Sequence, residues 1–157
     1  MITQKAKYAF KALLFLSKPS GEEPMQIEDI AAQTGVPRKF LEHILLTLKN
    51  NGLIASRRGR HGGYILIKDP ATVSLGHVLR MIDGPIAPLP CLSKTAYRPC
   101  PDCKSEENCA IRKVFGDVYA ATLLAMEGMT LADLMRCDTG AMFLETAAPL
   151  DEVAPSL

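Results

Sequence analysis

Five prolines fall between positions 85 and 101 (Pro85, Pro88, Pro90, Pro99 and Pro101), and no other feature limits the fold so tightly. Proline lacks an amide proton and its ring blocks the preceding helical turn, so regular structure is not expected over residues 85–107. Whatever precedes this stretch must be joined to whatever follows it by an irregular loop. Four of the five cysteines crowd into the same region, Cys91, Cys100, Cys103 and Cys109, while the first ninety residues hold none. In a reducing compartment such a cluster reads as metal-binding or redox-active before it reads as disulfides.

No run of eighteen apolar residues is present, so no membrane span is expected. The N-terminal run Ala9–Leu16 is short, is interrupted by Lys11, and is followed by no small-residue cleavage site, so a signal peptide is not expected either. The expectation is a cytoplasmic chain. Its 157 residues, 48% hydrophobic and 22% charged, can bury a core as one domain and are neither disordered nor collagen-like. Net charge is only +1, but its distribution is uneven. Residues 1–70 carry eleven Lys and Arg against six Asp and Glu, and residues 71–157 carry seven against eleven. A basic front half points to a polyanionic partner.

Apolar residues recur with helical period between Lys5 and Lys18, and Pro19, Ser20, Gly21 and Pro24 then break the chain. A second helix is predicted over Ile27–Gln33, followed by the turn Thr34-Gly35-Val36-Pro37 and a third helix from Arg38 to Asn50. Ile54–Ser56 and Tyr64–Ile67 read as two strands around a glycine-rich tip. Ser74 is placed to cap a helix through Ile82, ended by Gly84-Pro85. Beyond the loop, a long helix is predicted over Asn108–Glu127, with Ile111, Val114, Phe115, Val118, Tyr119, Thr122 and Leu123 along one stripe. Thr130 is placed to cap a short helix through Met135, and the tail after Glu145 has no periodic face.

The fold class is therefore mainly α with a small β-hairpin wing. The regions are a winged helix-turn-helix at 1–84, a cysteine-rich loop at 85–107, a long and then a short helix at 108–136, and a flexible tail at 137–157. A helix fits the major groove of DNA, where its N-terminal residues reach base edges. Arg38 and Lys39 sit at that end of the third helix, with Glu42 and His43 one turn on. Arg57, Arg58, Arg60 and His61 flank glycines at the hairpin tip, where Gly62, Gly63 and Tyr64 complete the candidate surface for a phosphate or a minor groove. A basic turn alone is usually a solvated surface; its place directly after a helix-turn-helix favours DNA.

Ile27-Glu28-Asp29-Ile30-Ala31, Phe40-Leu41-Glu42-His43-Ile44-Leu45, Leu48, Asn51-Gly52-Leu53-Ile54, Gly62-Gly63-Tyr64, Leu75 and Ile82-Asp83-Gly84 together resemble the Rrf2 family of bacterial transcription regulators, over about residues 1–135. The resemblance implies a homodimer joined mainly by the long helix, and a symmetric dimer reads a pseudo-palindromic double-stranded operator.

Four thiolates suffice for a [2Fe–2S] or [4Fe–4S] cluster, and equally for tetrahedral zinc. Many Rrf2 proteins hold an iron–sulfur cluster through three cysteines of this loop, and the resemblance maps Cys91, Cys103 and Cys109 onto them. The pattern departs in three ways. The interval from Cys91 to Cys103 is longer and contains Cys100; Arg112 stands where some members have a histidine; and Lys5-Ala6-Lys7-Tyr8 stands where others have an acidic ligand. Cys100 is thus the economical fourth ligand by count. Cys137 is expected to be a small buried apolar residue, and His77 a structural histidine. No dinucleotide fingerprint, phosphate loop or nucleophile–base pair is present, so an enzyme is not expected.

Overall fold

The structure is a computed structural model, and it describes residues 2–18 and 23–138. From residue 139 on, the expected tail lies outside the described residues, as do Pro19, Ser20 and Gly21. The order is α1 (Gln4–Leu16), α2 (Ile27–Thr34), α3 (Arg38–Asn50), β1 (Ile54–Arg57), β2 (Gly63–Leu66), α4 (Leu75–Asp83), α5 (Ala110–Gly128) and α6 (Leu131–Asp138).

Helix α1 begins where Thr3 Oγ1 accepts the Ala6 amide at 3.1 Å, and it buries Ala6, Ala9, Ala12, Leu13 and Leu16 on one face. Small alanines bring neighbouring helices close to its axis. Helix α3 answers with Leu41, Ile44, Leu45 and Leu48, all fully buried. Each such leucine or isoleucine contributes about 1.5–3 kcal/mol of burial. The turn between α2 and α3 is fixed at three points. Gly35 adopts φ 67° as the helix cap, Val36 is 1% exposed in the core, and Lys11 Nζ donates to Thr34 O at 3.3 Å. Pro37 caps α3 from outside its first turn, one position earlier than a proline opening the helix.

The wing is an antiparallel pair in which Ile54 faces Leu66 and Arg57 faces Gly63. Met25 adds a third, one-residue rung: its amide donates to Tyr64 O at 2.9 Å and Tyr64's amide donates back at 2.8 Å. The sequence places no strand at Met25, because a one-residue rung has no periodicity to read. Gly62 makes the hairpin tip possible and Gly63 makes this rung possible. A Cβ on Gly62 would stand 2.3 Å from Arg57 O, and one on Gly63 would stand 2.4 Å from Met25 O.

Helix α4 buries Val78, Leu79 and Ile82, starting at the Ser74 cap. Its far end returns to α1: Thr3 Oγ1 donates to Asp83 Oδ1 at 2.5 Å and Lys5 Nζ to Ile82 O at 3.4 Å. The proline-rich stretch contains one 3-10 turn, Pro90–Leu92, contrary to the expectation of none. The reason is that proline is excluded from helix interiors but tolerated at the first position of a turn, which is where Pro90 sits. Helix α6 is opened by a reciprocal cap, Asp133's amide donating to Thr130 Oγ1 at 3.2 Å and Thr130's amide to Asp133 Oδ2 at 2.7 Å. Leu131 is fully buried beneath it, whereas Cys137 is only half-buried. The expected burial of Cys137 is thus corrected, and His77 is exposed rather than packed.

Candidate functional site

Two surfaces carry chemistry. The first is the outward face of α3 with the wing beside it. Lys39, Glu42 and His43 are exposed there, and Leu46 joins them at 54% exposure, an apolar side chain among polar ones that the sequence reading passed over. The signal for it was available: Leu46 lies four residues beyond Glu42 and three beyond His43, on the same side of the helix. Arg38 is already engaged, its Nη1 2.6 Å from Glu28 and its Nε donating to Glu42 at 3.1 Å. Glu28, on α2, is a second residue the sequence reading did not single out. Both pairs are well exposed and add little stability, but they orient the guanidinium across the two helices.

At the wing, Arg57, Arg58, Arg60 and His61 are all exposed, spread around Gly59 at φ 108°. Gln26 Nε2 donates to Arg60 O at 3.2 Å, which ties the wing tip to the start of α2. Gly62 is buried and Tyr64 is half-buried against the core. Gly62, Gly63 and Tyr64 therefore build the wing, and the cations on its tip stand in solvent.

The second surface is a cavity of about 490 Å³ lined by Cys91, Cys100, Cys103 and Cys109 together with Arg98 and Arg112. All four cysteines singled out from the sequence lie along its wall. Cys91 is buried in the Pro90–Leu92 turn, Cys100 is exposed, and Cys103 and Cys109 are half-buried. Cys100 and Cys103 are joined by a turn, Cys103's amide donating to Cys100 O at 3.2 Å. Cys109 is the N-cap of α5: its Sγ accepts the Arg112 amide at 3.4 Å. Desolvation pushes the Cys103 thiol above its ordinary value, and the neighbouring Cys109 and Cys100 push it the same way.

The loop is braced from outside by Glu106, which accepts the Tyr97 hydroxyl and lies 3.4 Å from Arg112 Nε. That contact is poorly aligned, so Arg112 Nε is a buried nitrogen without a hydrogen-bond acceptor. The Glu106 contact raises the Tyr97 hydroxyl's pKa. Among the described residues no three His, Cys, Asp or Glu side chains converge as the ligands of one metal ion. The donor set is nevertheless of one soft kind, four thiols among the residues lining a single space, and that chemistry fits a thiolate-held metal group.

Helix α5 has no buried residue, and Ile111, Val114, Phe115 and Val118 are between 43% and 62% exposed along one side. Among the described residues, no helix is long and apolar enough to cross a membrane.

Known proteins match this arrangement. An HTH-type transcriptional regulator from Rhodobacter capsulatus, rrf2-like by name, is 53% identical over 138 residues, covering 86% of this chain and 92% of its own. IscR of Yersinia enterocolitica, an HTH-type transcriptional regulator, is 29% identical and covers 85% of this chain and 78% of its own. The solved structure of CymR, the global cysteine regulator of Bacillus subtilis, superposes with a TM-score of 0.71 at 28% identity, over 87% of this chain and 97% of CymR. The family model of Rrf2, described as an iron-dependent transcriptional regulator, matches residues 2–137. This chain belongs to the Rrf2 family and is a winged-helix transcriptional regulator, not an enzyme.

Proposed function

We propose that this chain acts in the cytoplasm as a homodimer on a pseudo-palindromic operator, and that its operator affinity is set by a thiolate-held iron–sulfur cluster. One observation carries the reading: the residue that caps the long helix, Cys109, is also one of four thiols lining a single cavity. Binding at the cavity is thereby tied to the first turn of α5. That helix also carries the uncovered apolar side Ile111, Val114, Phe115 and Val118, the surface expected to be covered by a second copy.

Cys91, Cys103 and Cys109 would hold the group, with Cys100 as the fourth thiol. A bound cluster supplies a redox-active, iron-dependent cross-link between these side chains. The chain's own residues do the rest. The Cys100–Cys103 turn and the Glu106 brace hold the loop against α5, and Arg98 and Arg112 set positive charge beside the anionic sulfurs. The α3 face and the wing tip supply the DNA contacts: Lys39 and His43 to base edges, Arg57, Arg58, Arg60 and His61 to phosphates or the minor groove. For regulation, the occupied cavity must favour one arrangement of the two winged domains. A differential of about 1–3 kcal/mol changes affinity by roughly 5–150-fold.

The test is anaerobic purification, an absorption spectrum with iron, sulfide and zinc analysis, and operator binding before and after loss of iron. Matching iron and sulfide, with an affinity change on their removal, is expected. A colourless protein with stoichiometric zinc and redox-insensitive binding would make the cysteines a structural staple. A metal-free protein whose binding responds to oxidants would make them a thiol switch. Cluster without DNA affinity would make the chain an electron carrier.

A further inference from the structure

The long helix ends on a carboxylate that neither the thiol cavity nor the DNA face uses. Glu127, in the last turn of α5, accepts the Ser74 hydroxyl on Oε2 at 2.8 Å and is ion-paired through Oε1 with Arg80. Ser74 is the N-cap of α4, and the same Oγ accepts the His77 amide at 3.1 Å. One hydroxyl therefore terminates α4 and fastens α5. Gly76 is buried directly beneath, where a Cβ would stand 2.8 Å from Glu127 Oε1. Beside this clasp the backbones bridge, Leu75's amide donating to Met129 O at 2.9 Å and Leu131's to Val73 O at 2.8 Å.

The other end of α4 is held to α1 through Asp83 and Thr3, and α1 packs on α3. Helix α4 thus lies between the long helix, clasped to it at Ser74 and Arg80, and α1, which supports the recognition helix. We infer that Glu127 is a positioning residue: it sets the angle at which α5 leaves the winged domain, and through it the separation of the two recognition helices in the dimer. This rests on the dimeric DNA-binding reading above. The leverage is large. At about 1.5 Å per residue α5 is roughly 28 Å long, so a tilt of about 10° at Glu127 moves its far end by about 5 Å. One base pair advances the groove by only about 3.4 Å.

The test uses the full chain and an operator selected from random duplexes, with half-sites at the selected spacing, moved by one base pair either way, or present singly. The unsubstituted protein is expected to lose about tenfold or more in affinity on a one-base-pair shift. Glu127→Gln keeps the shape of the side chain and removes the ion pair, and Arg80→Gln breaks it from the other side. Both variants are expected to lose at most about threefold on the same shift while binding the single half-site as the unsubstituted protein does. Two results overturn the proposal while leaving DNA binding intact: variants that keep the original spacing preference, or variants whose affinity falls in parallel on every duplex. An unsubstituted protein that binds no duplex, or binds one half-site as tightly as two, removes the dimeric reading and the proposal with it.

Discussion

Gly63→Ala tests the account of the wing most directly. Any Cβ at this position stands 2.4 Å from Met25 O, 2.5 Å from Met25 C and 3.0 Å from Gln26 N, all backbone atoms that cannot rotate aside. The backbone at Gly63 also has φ 150°, at the edge of what side chains tolerate. Relief requires Met25 to retreat by about 1 Å, and the reciprocal bonds between Met25 and Tyr64, at 2.9 and 2.8 Å, are lost. Two hydrogen bonds at about 0.5–1.5 kcal/mol each, with about 1–3 kcal/mol of backbone strain, give roughly 2–6 kcal/mol. A wing that detaches locally caps that cost, so about 2–4 kcal/mol is expected, or roughly 4–16 °C in melting temperature for a chain of this size. The assay is thermal unfolding at matched protomer concentration, together with amide exchange at Met25 and Tyr64. A melting temperature within about 1 °C of the parent, with both amides still protected, would refute the argument that these backbone atoms leave no room.

The other predictions are narrower. Thr3→Ala removes the α1 cap and its bond to Asp83 and should cost about 1 kcal/mol by urea unfolding, with Thr3→Ser close to the parent. Cys109→Ser and Cys109→Ala should both lose bound metal, but among metal-free proteins Cys109→Ser should keep the cap on α5 and the parent's melting temperature whereas Cys109→Ala should lower it; metal content and thermal unfolding of the metal-free forms check this. Arg58→Ala or Arg60→Ala should weaken operator binding and reduce its salt slope by about 1 for each phosphate contact removed; unchanged binding would assign the wing tip to solvent. Glu127's carboxyl is held below its ordinary 4.5 by the Arg80 hydrogen bond and then Ser74. Its native pKa is depressed, so its stabilisation is complete above 4.5 and is lost as pH falls through the native value. The stability gap between the parent and Glu127→Gln, measured by urea unfolding, should therefore close in acid; a gap that widens below pH 4.5 would reverse the sign of this reasoning.

Local chemistry was legible and long-range chemistry was not. The turn at Thr34-Gly35-Val36-Pro37 has a residue type fitted to each backbone need, so α2 and α3 fall within a residue of their expected bounds. Ser74 and Thr130 cap their helices as their hydroxyls suggest, and the glycine-rich tip lies between two strands as expected. The single turn at Pro90–Leu92 escaped because proline vetoes interiors, not first positions. The contacts between Thr3 and Asp83, and between Ser74 and Glu127, span 80 and 53 residues. No period or spacing encodes such pairs; they exist only once α4 is packed. Likewise the cysteines announced themselves by crowding, but the capping duty of Cys109 became visible only with α5 in place. Arg38 read as a DNA-contact candidate at a helix start, and its pairing with Glu28 depends on two helices crossing.

Met25 joins the wing to the segment that enters α2, and Gln26 reaches on to Arg60 at the wing's tip. Helix, turn and hairpin are therefore tied together, and if α3 reads the groove as proposed, its distance from the basic tip is set before any duplex arrives. Little conformational freedom remains to be lost on association, which favours rapid and entropically inexpensive capture. The adjustment then falls on the nucleic acid. Where the groove spacing of a straight duplex does not match, the DNA must bend, at a cost of about 1–6 kcal/mol that depends on the base steps being deformed. Under the proposed contacts of α3 and the wing, selection would thus extend to base pairs lying between the two places where the protein holds on.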